Sequence, residues 1–147
     1  MKTLKALIVL SIYLANVASA GQPEVEYYGV EGNMDLPFSE AVRVGHMLYL
    51  SGNLGNIPGT PELAEGGIKG ETRQTMENIK TSLEKHGSSL DEVVKCTVFL
   101  ADMAEWGEMN EVYITYFTAH PPARSALGTS GLALGARVEI ECMATVK

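Results

Sequence analysis

The sequence lacks the short motifs that mark several common catalytic and binding sites. It contains no glycine-rich phosphate loop, no nucleophile elbow and no zinc-type spacing of cysteine and histidine. These absences argue against phosphate binding through such a loop, against serine-hydrolase chemistry of the elbow type and against a metal site. The three histidines, His46, His86 and His120, are scattered along the chain, and we interpret them as structural or solvated residues.

Positive charge is also scarce. The chain has 11 Lys and Arg residues against 18 Asp and Glu residues, which gives a formal net charge of −7. No run of basic residues offsets this balance locally. Because nucleic-acid binding depends on the neutralisation of phosphates by Lys and Arg, the composition argues against a nucleic-acid partner.

Cysteine is nearly absent, since the chain has only Cys96 and Cys142. Each lies on the apolar side of an alternating segment, which favours two small, buried hydrophobic side chains. A disulfide is the alternative, because such a bridge persists in an oxidising compartment. The sequence does not show whether the two segments are neighbours, so both interpretations stay open.

The first 20 residues have the pattern of a secretory signal peptide. Lys2 and Lys5 precede about 13 mostly apolar residues, and small residues end the segment at Ala20. A membrane-spanning helix needs about 20 apolar residues, so we prefer cleavage after Ala20 to a membrane anchor. We therefore expect a secreted or periplasmic protein that has no membrane association after cleavage and carries a net charge of −9.

Residues 21–147 are expected to form a single domain. The chain is 46% hydrophobic and 20% charged, which is typical of one compact globular unit. Hydrophobic periodicity divides this region into strands, a helix, a strand, a second helix and further strands. We predict strands within 24–30, 41–52, 91–102 and 136–147, a strand that begins at 123, helices over 66–86 and 103–117, and a long loop over 51–62.

Each predicted helix has one apolar face. In the first helix, apolar residues recur at spacings of three and four, and Gly87 is expected to end it. The Met and aromatic residues of the second helix are interpreted as core residues rather than as a cofactor site. That stripe comprises Met103, Trp106, Met109, Val112 and Tyr116.

Two helices are enough to cover one face of the predicted sheet, which leaves the other face bare. Charged residues on that face, such as Glu139 and Lys95, suit contact with water. Phe99 and Met143 share the same side and are apolar. We therefore expect an α+β fold in which other subunits cover part of the second face.

The segment PPARSALGTSGLALGARVEIE, residues 121–141, contains the candidate site. Arg124 lies among small residues that leave room for a ligand, and a guanidinium binds a carboxylate through paired hydrogen bonds. Glu139 and Glu141 point to the same side of one strand, and either could hold or deprotonate a water molecule. The alternative is a plain ion pair between Arg124 and a glutamate on a neighbouring strand, and spacing alone favours this alternative.

Several segments together resemble the reactive-intermediate deaminase (RidA) superfamily, also called the YjgF/YER057c/UK114 family. PARSALGTSGLALGARVEI (122–140) is similar to the family signature, and YLSGNLG to a strand that ends in Ser-Gly. VVKCTVFLAD is similar to the central strand and MNEVYITYF to the second helix. The resemblance extends over essentially all of residues 21–147, and it favours a ligand-binding Arg124 over the ion pair.

The resemblance implies a fold, an assembly and an activity. The implied fold is α+β and chorismate mutase-like, with a mixed sheet and two helices packed on one face. The implied assembly is a homotrimer with clefts between its subunits. The implied activity is hydrolysis of reactive 2-imino or 2-enamino acids to 2-keto acids and ammonia, with no cofactor and no metal.

The resemblance also assigns roles to individual residues. Arg124 would bind the substrate carboxylate, and Glu139 would position or activate the attacking water. Backbone groups at Ala126 would contact the substrate, while Ser51 and Gly52 would line the cleft. The resemblance thus selects Glu139 rather than its neighbour two residues later.

Two further positions complete the expected site. Asn110 would contribute from a neighbouring chain. Phe38, within LPFSEAV, stands where members of the family commonly have a tyrosine, so the cleft would lack one hydroxyl. The alternative function is a non-enzymatic trimer that binds small carboxylates or other proteins.

Overall fold

The structure is a computed structural model that describes residues 21–30 and 36–147. The predicted signal peptide lies outside the described residues. Within the two described ranges, no helix combines the length and the apolar character that crossing a membrane requires.

Seven strands and two α-helices form the regular structure of the described ranges. The strands are β1 (Val25–Tyr28), β2 (Ala41–Val44), β3 (Met47–Leu50), β4 (Asn53–Leu54), β5 (Val93–Leu100), β6 (Ala123–Gly128) and β7 (Val138–Thr145). The helices are α1 (Gly67–Lys85) and α2 (Trp106–Tyr113). Short 3₁₀ turns occupy Leu90–Glu92, Met103–Glu105, Ile114–Tyr116 and Ala133–Gly135. The predicted order of strands and helices is confirmed.

All seven strands belong to one mixed sheet. Its order is β1-β2-β3-β7-β5-β6, and the short β4 also pairs with β7. The β5–β6 pair is parallel, whereas every other pair is antiparallel. In the described part of the chain, β6 is therefore an edge strand, and β5 separates it from β7.

Two glycines adopt the backbone conformations that the predicted boundaries require. Gly45 has a φ of +58° in the tight turn between β2 and β3, where Val44 pairs with Met47. Gly87 has a φ of +78° immediately after the α1 cap. Glycine tolerates positive φ because it has no Cβ, so the predicted hairpin and the predicted end of the first helix are confirmed.

The core lies between one sheet face and the two helices. The apolar stripe of α1 and alternate residues of the central strands are buried there, as their periodicities predict. The largest fully buried apolar side chains are Leu48, Met76, Ile79, Leu83, Val98, Leu100, Met109, Val138 and Ile140. Among the described residues, neither helix packs on the opposite face, which carries Glu139 and Glu141, so that face is bare as expected.

Two predicted segments differ from the structure. The expected loop over 51–62 contains β4, because the chain there runs beside β7 and pairs with it. The expected helix over 103–117 is shorter, since 3₁₀ turns flank α2 on both sides. Met103 and Trp106 are 46% and 41% exposed, so their assignment to the core is wrong. Both side chains lie beside the edge strand β6, where the sheet ends.

Cys96 and Cys142 form a disulfide that joins β5 to β7. The two residues are directly opposite each other in the antiparallel register, and their Cα atoms are 4.1 Å apart. Both side chains are buried in the core. The favoured interpretation was therefore right about burial and wrong about the absence of a bridge, because only the strand pairing brings the two sulfur atoms together.

Candidate active site

Arg124 lies on the edge strand β6 and points to the helix side of the sheet. Its partner in the β5–β6 register is Cys96, a core residue. The guanidinium carbon is 4.7 Å from the ring centre of Tyr113 and 5.9 Å from that of Trp106. Arg124 Nη1 donates a hydrogen bond of 2.6 Å to Asn110 Oδ1. Three residues of α2 thus hold the half-buried guanidinium.

No acidic side chain neutralises Arg124 within the described ranges, where its polar and aromatic partners are those three α2 residues. Burial raises the pKa of Tyr113 to about 12, although the nearby Arg124 charge opposes this effect. The phenol therefore stays neutral at physiological pH. Among the described residues, the plain ion pair between Arg124 and a glutamate is not found, so the guanidinium is available to bind an anion.

Glu139 lies half-buried on β7 and rests against Gly52. A Cβ placed at Gly52 would overlap Glu139 Oε1, so the Glu139 carboxylate would have to move if residue 52 carried a side chain. Burial raises the pKa of the Glu139 carboxyl, and the like charge of Glu141 raises it further. Such a carboxylate is a better proton acceptor than an ordinary exposed one.

Arg124 and Glu139 lie on opposite faces of the sheet within one chain. Glu139 pairs with Phe99 of β5, and its neighbours Val138 and Ile140 are the residues that enter the core. Arg124 enters the helix side, as its partner Cys96 does. One chain therefore does not present both groups to the same small molecule. A site that uses both needs Glu139 from a second copy of the chain.

A family profile described as Endoribonuclease L-PSP matches residues 33–146. The chain belongs to this family. The resemblance found in the sequence segments is confirmed, since proteins named for RidA and for the YjgF/YER057c/UK114 family are among its relatives in sequence and structure.

Three relatives illustrate the similarity of this L-PSP family chain. The RutC family protein of Pyrococcus horikoshii is 44% identical over 108 residues, which cover 74% of this chain and 86% of that protein. The mouse 2-iminobutanoate/2-iminopropanoate deaminase is 43% identical over 108 residues, covering 74% and 80%. The crystal structure of RidA from Psychrobacter sp. PAMC 21119 is 36% identical, with a TM-score of 0.73 and coverage of 86% and 99%. The predicted fold class is confirmed.

The remaining site residues of this L-PSP family chain form two groups. Ala126 follows Arg124 on β6, two residues later and on the same face. Ser51 lies with Gly52 on the Glu139 side, and its Oγ donates a hydrogen bond of 2.6 Å to the Ser39 carbonyl. That bond ties Ser51 to the segment that carries Phe38, whose side chain is 54% exposed.

Asn110 belongs to the Arg124 group of the same chain. It was expected to come from a neighbouring chain, and for the contact with Arg124 that expectation is wrong. The reason is the crossover from β5 through α2 to the parallel strand β6, which lays α2 against β6 of its own chain. Asn110 orients the guanidinium by accepting its hydrogen bond.

Trp106 and Tyr113 are site residues that the sequence reasoning missed. With Asn110 between them, they recur at spacings of four and three, which places all three on one side of a helix. The sequence signal for this site was therefore a pair of aromatic residues spaced around Asn110 on one side of the second helix. The described residues contain no group of three His, Cys, Asp or Glu side chains arranged to hold a metal ion.

Proposed function

We propose that this protein is a reactive-intermediate deaminase. Its proposed reaction is hydrolysis of 2-imino or 2-enamino acids to 2-keto acids and ammonia, in clefts between the subunits of a homotrimer. Relatives at about 40% identity are named Reactive Intermediate Deaminase A and 2-iminobutanoate/2-iminopropanoate deaminase. The observation that carries the proposal is the half-buried Arg124 guanidinium, which has no acidic partner in the described chain.

The proposed chemistry needs orientation more than it needs a strong catalyst. The carbon of an imine is already electrophilic, so water adds to it once the two are aligned. The carbinolamine that forms then expels ammonia and leaves the keto acid. Arg124 binds the carboxylate with the N–H groups that Asn110 does not use. Glu139 of the adjoining copy takes a proton from the attacking water and then one from the new hydroxyl group, and it passes each to the nitrogen, which leaves as ammonia.

The homotrimer is supported by the arrangement of one chain. The sheet face without helices exposes apolar side chains, and a subunit interface is the usual cover for such a surface. These side chains are Val25, Tyr27, Tyr49 and Leu127. A second copy placed against this face and the β6 edge would also supply the Glu139 that Arg124 lacks in its own chain.

Export is a further part of the proposal. A buried disulfide between Cys96 and Cys142 supports folding in an oxidising compartment, such as the periplasm or the cell exterior. We therefore keep the predicted signal peptide, cleaved after Ala20. The intact mass of the protein recovered from its native compartment tests this: a chain that begins at Met1 would contradict it.

The decisive test of function is an imine-release assay with Arg124 variants. An amino-acid oxidase generates the imino acid in situ, and formation of the keto acid is measured after the uncatalysed rate is subtracted. We expect Arg124→Ala to abolish turnover. We expect Arg124→Lys to fail to restore it, because a lysine cannot form the bidentate carboxylate pair.

Tyr113→Phe is the matched control for these Arg124 variants. It keeps the ring under the guanidinium and removes only a buried hydroxyl that has no hydrogen-bond partner among the described residues. We expect it to fold and to turn over the imine at a rate close to that of the wild type. Normal turnover by Arg124→Ala would remove the proposed role of the guanidinium.

A second candidate function is binding of a small carboxylate without turnover. Phe38 favours it, because the family commonly places a tyrosine hydroxyl at this position and phenylalanine has none. Calorimetric titration with a 2-keto acid separates the two functions. Binding that requires Arg124, in a protein with no imine hydrolysis, would support this second function.

A further inference from the structure

An apolar strip continues from the Arg124 guanidinium along the edge strand β6. We define the strip by Met103, Trp106, Ala126 and Gly128. Ala126 and Gly128 follow Arg124 at steps of two residues, so they lie on the same face of β6. Met103 packs against Gly128, where an added Cβ would lie 2.9 Å from Met103 Cγ. Trp106 lies beside the Arg124 guanidinium, and Met103 lies at the Gly128 end.

The strip is accessible within one chain and is long enough to lie beside an amino-acid side chain that carries a ring. The four residue steps of an extended strand from Arg124 to Gly128 span about 13 Å. Along this length Met103 and Trp106 are 46% and 41% exposed, although Met109 and Val112 of the same helix are buried. On this face of β6, the two residues that follow Arg124 are an alanine and a glycine.

The charges beside the strip do not favour a cationic ligand group. Glu105 precedes Trp106, but the Arg137 guanidinium engages its carboxylate. The remaining lining is methyl, thioether and indole surface. A hydrophobic group is therefore the chemistry that the strip accommodates.

We propose that the strip is the subsite for the side chain of the substrate, an inference that rests on the proposed deaminase function. With the carboxylate on Arg124, the side chain of a 2-imino acid extends past Trp106 toward Met103. The substrate class is therefore 2-imino acids with extended apolar side chains, whether straight aliphatic, thioether or aromatic. Trp106 and Met103 determine this specificity.

The first test is a substrate series measured on the oxidised protein that begins after Ala20. The oxidase generates imines from alanine, 2-aminobutyrate, norvaline, norleucine, methionine and phenylalanine, and the uncatalysed rate is subtracted for each. We expect kcat/KM to rise about fourfold for each methylene that the strip buries. A series that is flat, or that declines with length, overturns the proposal without any variant.

The second test compares three variants on the same series. Trp106→Ala should flatten the rise of kcat/KM with side-chain length. Because Trp106 also lies against the Arg124 guanidinium, the readout is the slope of the series and not its absolute level. Met103→Ala should lower kcat/KM only for the longest substrates. Ile57→Ala removes an exposed apolar side chain from the loop between β4 and α1, and it should change nothing.

The outcomes separate this inference from the function on which it rests. If Arg124→Ala is inactive on every substrate and the wild-type series is flat, the deaminase stands and the apolar subsite is wrong. If Arg124→Ala remains active, the deaminase site itself is wrong. If Ile57→Ala flattens the series as Trp106→Ala does, the effect is general, and the subsite is overturned.

Discussion

Removal of the Cys96–Cys142 disulfide should cost this protein a large part of its stability. The bridge closes a segment between residues 46 positions apart. Constraining a loop of this length in the unfolded chain contributes about 4 kcal/mol in the chain-entropy model. A typical domain has a free energy of unfolding of only about 5–15 kcal/mol. The double variant Cys96→Ala/Cys142→Ala should therefore have a free energy of unfolding about 4 kcal/mol below that of the oxidised wild type.

The assay is equilibrium unfolding in urea, followed by the fluorescence of Trp106. Non-reducing peptide mapping first establishes that the wild type is fully bridged. Both sulfur atoms are buried, so mild reductant should leave the native protein intact and act only after unfolding. Wild type that is unfolded and refolded in reductant is the control, because it keeps both side chains and lacks only the bond.

The free energies of unfolding of these three samples should fall into two groups. The reduced wild type and the double variant should resemble each other and should both fall well below the oxidised protein. A double variant within about 1 kcal/mol of the oxidised wild type would refute the estimate. It would mean that the unfolded chain is already compact around these strands, so that the bond constrains little.

Three further predictions concern the Glu139 side of the site. Gly52→Ala should displace the Glu139 carboxylate and lower kcat on the order of 100-fold with little change in KM. The reason is that a shift of about 1 Å in a reacting group lowers the rate by about this factor. An unchanged kcat in a folded variant would contradict this prediction. The raised pKa of Glu139 places the acidic limb of kcat/KM above the ordinary value of 4.5, with activity rising as pH rises through that limb. Glu141→Gln should move the limb to lower pH because it removes a like charge, and an unmoved limb in the pH profile would exclude that coupling.

Local periodicity was sufficient to predict most of the fold. Spacings of three and four predicted α1 to within a residue or two, and alternation predicted β5 and β7 and the side of each that enters the core. Gly45 and Gly87 marked a turn and a helix end because positive φ favours glycine. The bare sheet face was also predicted, because two helices can cover only one face of the sheet.

The candidate residues could be named from sequence, but their relations could not. Arg124 was recognisable as a guanidinium among small residues, and Glu139 was selected by resemblance to known proteins. Their spacing favoured an ion pair between adjacent strands. The structure instead places β5 between β6 and β7 and puts the two side chains on opposite faces.

The sequence by itself determined the elements, the buried stripes and the residue types available for chemistry, because these depend on neighbours within a few positions. Only the tertiary structure decided which strands are adjacent, that Cys96 meets Cys142, and that α2 surrounds Arg124 with an amide and two aromatic rings. Those contacts join positions far apart in the chain, and the packing of the whole sheet selects them rather than any local pattern.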